Sequence, residues 1–466
     1  MNAARPGSPV PLLGAGTGGS TVPALSEALR PAPPPGRAQG GAGVLPAHRL
    51  TVAAFDALAR GGGGVEALGV LARAQRSKRM LLLRAIVEEA GDGTTRDLYA
   101  ELARAHRRSP GVVDDVLAYP AVGVWAWRTL SALTTRGESA ALARLAGLVA
   151  ACAARLGERF TGEVPVRSGL AALPSLGAAH VGGRHAAVRV GPYGTRLVGG
   201  HRTVRVNGEG WLGLSRRRAG AATLVLDDVD PDRFPPGVRL RPRLAARETG
   251  HWWKTIAEAV ELLRRHHPGS AEECLAVTGV LTPVAGPAGI QVSASSRHAF
   301  GSIALSVPVD APGTAVTLVH EVQHSKLNAL MDLFELAPPD TGERFYAPWR
   351  SDPRPVDGLL HGAYAHLGIA RFWRVQRHVE RNAAARVHAH VEYVRWRDGA
   401  LAVSRLLAGR LLPPGERLAA GMREVLESWL DDPVPPEAAR TAAGLARDHR
   451  ERWKPRRARA ADPPLP

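Results

Sequence analysis

Apolar side chains set two different rhythms along this chain. Between about residues 46 and 160 they return at helical spacings, with Leu68, Leu71, Leu82, Leu83, Ile86 and Val87 as the clearest series. This predicts a helical N-terminal domain. From 161 to 250 the texture changes to short, β-branched runs such as HAAVRVGPYGTRLV, HRTVRVNGEGWLGLS and AATLVLDDVD, broken by Gly, Asn and Pro. Antiparallel strands are expected there. HWWKTIAEAVELLRRHHPGS then reads as an amphipathic helix stopped by Pro268-Gly269, and LAVTGVLTPV and GSIALSVPV read as strands. Two long helices follow, one opening near Gly313 or Thr314 and the other near Asp357. The expected fold is α+β and mainly α: a helical N-terminal domain over 46–160, an antiparallel β-rich middle over 161–250, and a helical C-terminal domain over 251–455. Residues 1–45, dominated by Gly, Ala, Pro and Ser, and 456–466 are expected to be a disordered leader and tail.

Composition narrows the class. A chain of 466 residues with 45% apolar and 22% charged positions has room for two or three cores and is neither wholly disordered nor collagen-like. Sixty Lys plus Arg against 43 Asp plus Glu give a formal charge of +17, which raises the question of nucleic acid. Almost all of this charge is Arg spread along the chain, and no basic run is interleaved with aromatics as a strand-binding groove needs. No nucleic-acid partner is expected, but the charge favours acidic peptides through long-range attraction. Cys152 and Cys274 stand far apart and outside any CxxC, so neither a disulfide framework nor a cysteine zinc site is supported. The N-terminus lacks a continuous apolar segment, and the most apolar stretch, residues 145–154, lies between Arg144 and Arg155. That is well short of the roughly 20 residues that span a bilayer. A cytoplasmic protein without a membrane partner is expected.

The candidate chemistry sits on the first long helix, where His320, Glu321 and His324 form an HExxH motif. Four residues at about 100° each bring the second imidazole to within roughly 40° of the first, one turn along. Both rings can then face one ion, with Glu321 beside it as a catalytic group. The second long helix offers a third ligand. His361 and His366 are about 140° apart on it, so only one of them is expected to reach the same ion. His361, near the helix start and beside Gly362, is the first choice and His366 the second, with Asp352 or Asp357 as carboxylate alternatives. The connection ERFYAPWRSDPRP carries Arg350 and Arg354, whose forks could bind a carboxylate-bearing cosubstrate, or could simply order the loop through an internal Arg–Asp pair.

These segments resemble the HExxH-motif peptide-modification proteins associated with ribosomally made, post-translationally modified peptides. The resemblance rests on VHEVQHSKLNAL, YAPWRSDPRPVDGLLHGAYAHL and LTVAAFDALARGGGGVEAL, and extends over about 46–450. It implies an oxidoreductase, an iron(II)- and 2-oxoglutarate-dependent dioxygenase that hydroxylates a β-carbon of a ribosomally made precursor peptide. In that reading His320, His324 and His361 or His366 hold the metal, and Arg350 or Arg354 anchors 2-oxoglutarate. Two other readings remain open at this point. One is a zinc peptidase in which Glu321 is the general base; the other is a non-catalytic protein that binds a peptide by strand addition or groove docking.

Overall fold

The computed structural model describes residues 48–460 apart from 201 and 288, with side chains described to Trp453. The leader expected over 1–45 and the last six residues of the expected tail therefore lie outside the described residues; 456–460 continue the backbone of the final helix.

Six helices come first: α1 (Val52–Ala59), α2 (Gly64–Ala90), α3 (Gly93–Arg108), α4 (Pro110–Leu117), α5 (Pro120–Arg136) and α6 (Arg144–Leu156). Local chemistry explains where they begin and end. The Thr51 hydroxyl accepts from the Ala54 amide at the start of α1, and the Asp92 carboxylate accepts from Thr95 at the start of α3. α2, α5 and α6 stop at Gly91, Gly137 and Gly157, all with positive φ. The turn between α1 and α2 uses Gly61, Gly63 and Gly64 with φ of 76°, 143° and 60°, values that side chains resist.

Two sheets follow. The first is antiparallel throughout: β1 (Phe160–Arg167), β2 (Leu170–Leu173), β3 (Gly177–His180), β4 (His185–Gly191), β5 (Gly194–Gly199), β6 (Arg202–Arg205) and β7 (Trp211–Gly213), in the spatial order β6-β5-β4-β1-β2-β3-β7. Its inner face packs on α6, where Leu148 and Cys152 meet the row Val188–Leu197–Val204 within one apolar cluster. The chain leaves β7 and re-enters a strand after Leu214, so β8 (Ser215–Ala219) and β9 (Ala222–Leu226) begin the second sheet. After α7 (Ala246–His266) and α8 (Pro268–Val277), that sheet is completed by β10 (Val280–Pro283), β11 (Ser293–Ala294) and β12 (Ser302–Leu305), in the order β11-β12-β10-β9-β8.

In the second sheet β8 and β9 pair antiparallel, as expected for 161–250, whereas β10, for which no direction was expected, runs parallel to both β9 and β12. The α7–α8 pair carries the chain from β9 back to the same end of the sheet to start β10. Pro268 also opens α8 as well as closing α7, since a proline at the first helical turn gives up no hydrogen bond. Part of the expected strand LAVTGVLTPV consequently finishes α8, and only Val280–Pro283 extends.

The C-terminal helices are α9 (Ala311–Met331), α10 (Val356–Val379), α11 (Ala383–Leu406), α12 (Pro413–Glu427) and α13 (Pro436–Ala460). α9 is buried on almost every side and runs through the middle of the larger core. Its Gln323 and Lys326 donate to the Gly61 carbonyl (2.9 and 3.0 Å), and Lys326 also donates to Gly62 and to Glu273 (2.9 and 2.7 Å). The glycine turn before α2 is thereby tied to the central helix. α2 contributes Leu68 and Leu71 to the core around α9, and Leu82, Leu83 and Ile86 to the core beneath the first sheet. The fold is α+β, with helical N- and C-terminal regions around central sheets. Among the described residues no helix is long and apolar enough to cross a membrane.

Candidate functional site

α9 and α10 bring four histidines together. The rings of His320 and His324 lie edge to face with centroids 4.6 Å apart, as the one-turn spacing requires. His361 stacks beside His324 at 5.8 Å with planes 29° apart, and His366 stands 5.7 Å from His320. Glu321 accepts a hydrogen bond from Ser293 Oγ on β11 (2.6 Å) and lies 3.3 Å from His320 Nδ1. All three motif residues are buried. Burial holds the His361 imidazole down to about 4, and pushes His324 and His366 well below the ordinary range, with neighbouring imidazoles and arginines adding to it. These rings are neutral at pH 7.

Proximity does not make this a metal centre. Among the described residues, no group of three or more His, Cys, Asp or Glu side chains is placed to hold a metal ion. The packing around His366 gives one physical reason. His366 is committed to packing: its ring lies flat on Trp349 (4.4 Å, 16°) and against Trp396 (4.6 Å), and its Nδ1 donates to the Gly362 carbonyl (2.8 Å). Among the described residues, His320 Nδ1, His324 Nδ1, His361 Nδ1 and His366 Nε2 have no hydrogen-bond partner, and each costs roughly 1–3 kcal/mol unless water reaches it.

The expectations that depended on a metal are therefore corrected. His320, His324 and His361 are not assembled as a ligand set, and His366, Asp352 and Asp357 do not complete one. Among the described residues, neither the iron(II)/2-oxoglutarate dioxygenase nor the zinc peptidase finds a residue group that could hold its metal. Arg350 and Arg354 lie on the carboxylate of their own loop, Asp352, at 2.8 and 3.5 Å, the internal pairing that was the alternative to cosubstrate binding. Asp357 accepts from the Gly358 amide at the start of α10. No family model matches the chain and no curated protein matches it significantly, so the resemblance to HExxH peptide-modification proteins receives no support.

Gly362 makes room for a ring: a Cβ there would overlap the Trp349 indole, which lies flat on His366. Gly362→Ala is expected to expel Trp349 and lower stability by about 1–3 kcal/mol, the usual cost of overpacking. Denaturant unfolding followed by tryptophan fluorescence checks this; an unchanged midpoint and emission maximum would contradict the packing argument.

A second, open site lies on the first sheet. β6 is its outer strand, and Val206 N–H bonds to the Thr195 carbonyl across from it (2.9 Å). By the alternation of antiparallel ladders, Arg202 and Val204 turn their backbone groups towards β5, whereas Thr203 and Arg205 turn theirs away. The Arg205 carbonyl is taken by Gly208 N–H in the following turn (3.0 Å). That leaves the Thr203 N–H, the Thr203 carbonyl and the Arg205 N–H without a partner among the described residues, on a strand where Arg202, Thr203 and Arg205 are exposed. On the outer face of the same strands, Arg189 on β4 stands opposite Arg196 on β5, which stands opposite Arg205 on β6. All three are exposed, and none is in an ion pair among the described residues. The sequence reading passed over this row because it weighed charge over the whole chain. One signal was available: Arg189 and Arg196 are symmetric about the Gly191–Gly194 turn.

Proposed function

We propose that this protein binds a peptide, held in extended form as an added strand on the outer edge of β6. The observation that carries the reading is the set of outward backbone groups on Thr203 and Arg205, without a hydrogen-bond partner among the described residues, on an edge strand of the antiparallel sheet. Such an edge is a template for another strand: main-chain hydrogen bonds supply affinity and alternate side chains supply selectivity. A ribosomally made precursor peptide, the partner that the resemblance implied, is a flexible chain of the kind that can adopt this form. The short strand gives two or three hydrogen bonds, which suits reversible capture.

Thr203→Pro is the deciding variant. It removes the outward N–H at the edge and leaves the ladder to β5 in place, a position where sheets tolerate proline. Peptides selected from a displayed library of random dodecamers on the wild-type protein are expected to bind Thr203→Pro at least about tenfold more weakly, the worth of one or two hydrogen bonds. The thermal midpoint should stay within a few degrees. Selected peptides that bind both proteins equally, or a selection that enriches none, would reject strand addition at β6.

A further inference from the structure

We infer that the peptide held at β6 is acidic, its carboxylates meeting the arginine row Arg189–Arg196–Arg205 on the outer face of the sheet. This rests on the strand-addition reading and names the occupant that the sheet's chemistry selects. Directly opposed like charges destabilise a sheet, and Arg196 and Arg205 form a pair of the closer, non-hydrogen-bonded kind. Glu163, on the neighbouring row of the same face, makes no ion pair with any of them among the described residues. Blunting an edge against unwanted pairing explains a charge on β6 alone. It does not explain Arg196 and Arg189, which carry the row two strands inward.

An added strand resolves the repulsion. Its residue opposite Arg205 lies about 5 Å away on the same face, and alternate residues project there too. A carboxylate at that position pairs with Arg205 directly. One strand further in, Arg196 can still be reached by a Glu side chain. Arg189, roughly 14 Å from the added strand by strand spacing, acts only through its field. Arg205 is held for this role, since its guanidinium also donates to the Tyr193 carbonyl at the β4–β5 turn (2.7 Å). The occupant is therefore a strand with Glu or Asp at alternate positions, and the contributions of the three arginines fall off with distance from the edge.

The test uses the full-length protein and three labelled probes read by fluorescence anisotropy: Ser-Glu-Val-Glu-Val-Glu-Ser, the same peptide with Gln for Glu, and a single-stranded oligothymidylate. The acidic peptide is expected to bind most tightly and to weaken as salt rises. Arg205→Gln should cost about fivefold, Arg196→Gln about threefold and Arg189→Gln less than about twofold, the scale of exposed ion pairs. Loss of the acidic peptide with Thr203→Pro ties the charge effect to the edge. Equal binding of the Glu and Gln peptides, with both lost in Thr203→Pro, would overturn the acidic occupant and leave strand addition standing. Binding of the acidic peptide that survives Thr203→Pro would overturn strand addition and this inference with it. Tighter binding of the oligonucleotide, with equal losses at all three arginines, would point instead to a ligand lying along the row.

Discussion

Arg144→Ala is expected to lower the unfolding free energy by about 3–5 kcal/mol, the cost of stranding a buried charge. Arg144 lies at the start of α6 with 3% of its side chain exposed, and one of its guanidinium nitrogens donates to both oxygens of Asp230, at 2.7 and 2.6 Å. Its Nε lies 3.3 Å from Asp232, which also receives Arg128 from α5 (2.8 Å) and Arg167 from β1 (3.1 Å). Asp227 of the same loop accepts from the Tyr119 hydroxyl (2.6 Å). The loop after β9 is thus a hub that fastens the helices and the first sheet to the second sheet. Burial opposes charge on Arg144, yet the neighbouring carboxylates more than offset it and hold its pKa above the ordinary value. Removing the guanidinium leaves Asp230 buried without its main partner. Arg144→Lys keeps the charge but loses the fork, so an intermediate loss is expected. The double variant Arg144→Met/Asp230→Leu should recover much of the stability, because it removes both charges together. Urea unfolding of the four proteins decides the matter. A loss below about 1 kcal/mol for Arg144→Ala would show that Arg128 and Arg167 suffice without it.

The second large effect is acid sensitivity. His298 stacks on Trp127 with centroids 4.1 Å apart, and burial, helped by Lys78 and Arg297, holds its pKa down to about 3. Unfolded, the same ring titrates near 6.5. The folded pKa is the lower one, so the unfolded chain binds more protons between those values. The stability in question is present above pH 6.5 and is lost progressively as pH falls towards 3. The slope is about 1.4 kcal/mol per pH unit for one such ring, or roughly 3 kcal/mol between pH 6.5 and 4. His361, held at about 4, and His324 and His366, depressed by burial, add to it in the same direction. The protein should therefore lose several kcal/mol on going from pH 7 to 5, where most carboxylates are still ionised. His298→Phe keeps the ring packed on Trp127 and removes one titrating group, so its stability-against-pH slope below pH 6 should be shallower by about 1.4 kcal/mol per unit. Identical slopes for the two proteins would show that water reaches His298 and lets it charge.

How much of this was legible depended on distance along the chain. The HExxH helix could be read because a helix places residues four apart on one face whatever surrounds it, and His320 and His324 do meet. The third ring could not be read in the same way. His361 and His366 reach α9, but the plane of His366 is set by Trp349, Trp396 and the Gly362 carbonyl, none of which the motif specifies. The alternation in β4, β5 and β6 was equally plain, with Val188, Leu197 and Val204 inward and Arg189, Arg196 and Arg205 outward. That the arginines form one row depends on register, fixed by the turn at Pro192-Tyr193 for the first pair and by the next connection for the second. The parallel strands of the second sheet escaped notice because a short apolar run looks alike in either direction.

The sequence by itself determined the local elements of this protein: most of its helices with their glycine stops, the strand segments of its first sheet, and the pairing of His320 with His324 on one helical face. Periodicity, caps and turn residues act within a few positions, so no distant contact is needed to set them. Only the tertiary structure decided what those elements amount to. It turned the histidine rings into a packed cluster rather than a ligand set, spent Arg350 and Arg354 on Asp352, and left the β6 edge and its arginines open. Side-chain direction, charge pairing and strand neighbours each depend on several elements meeting in space, and no single stretch of chain contains that information.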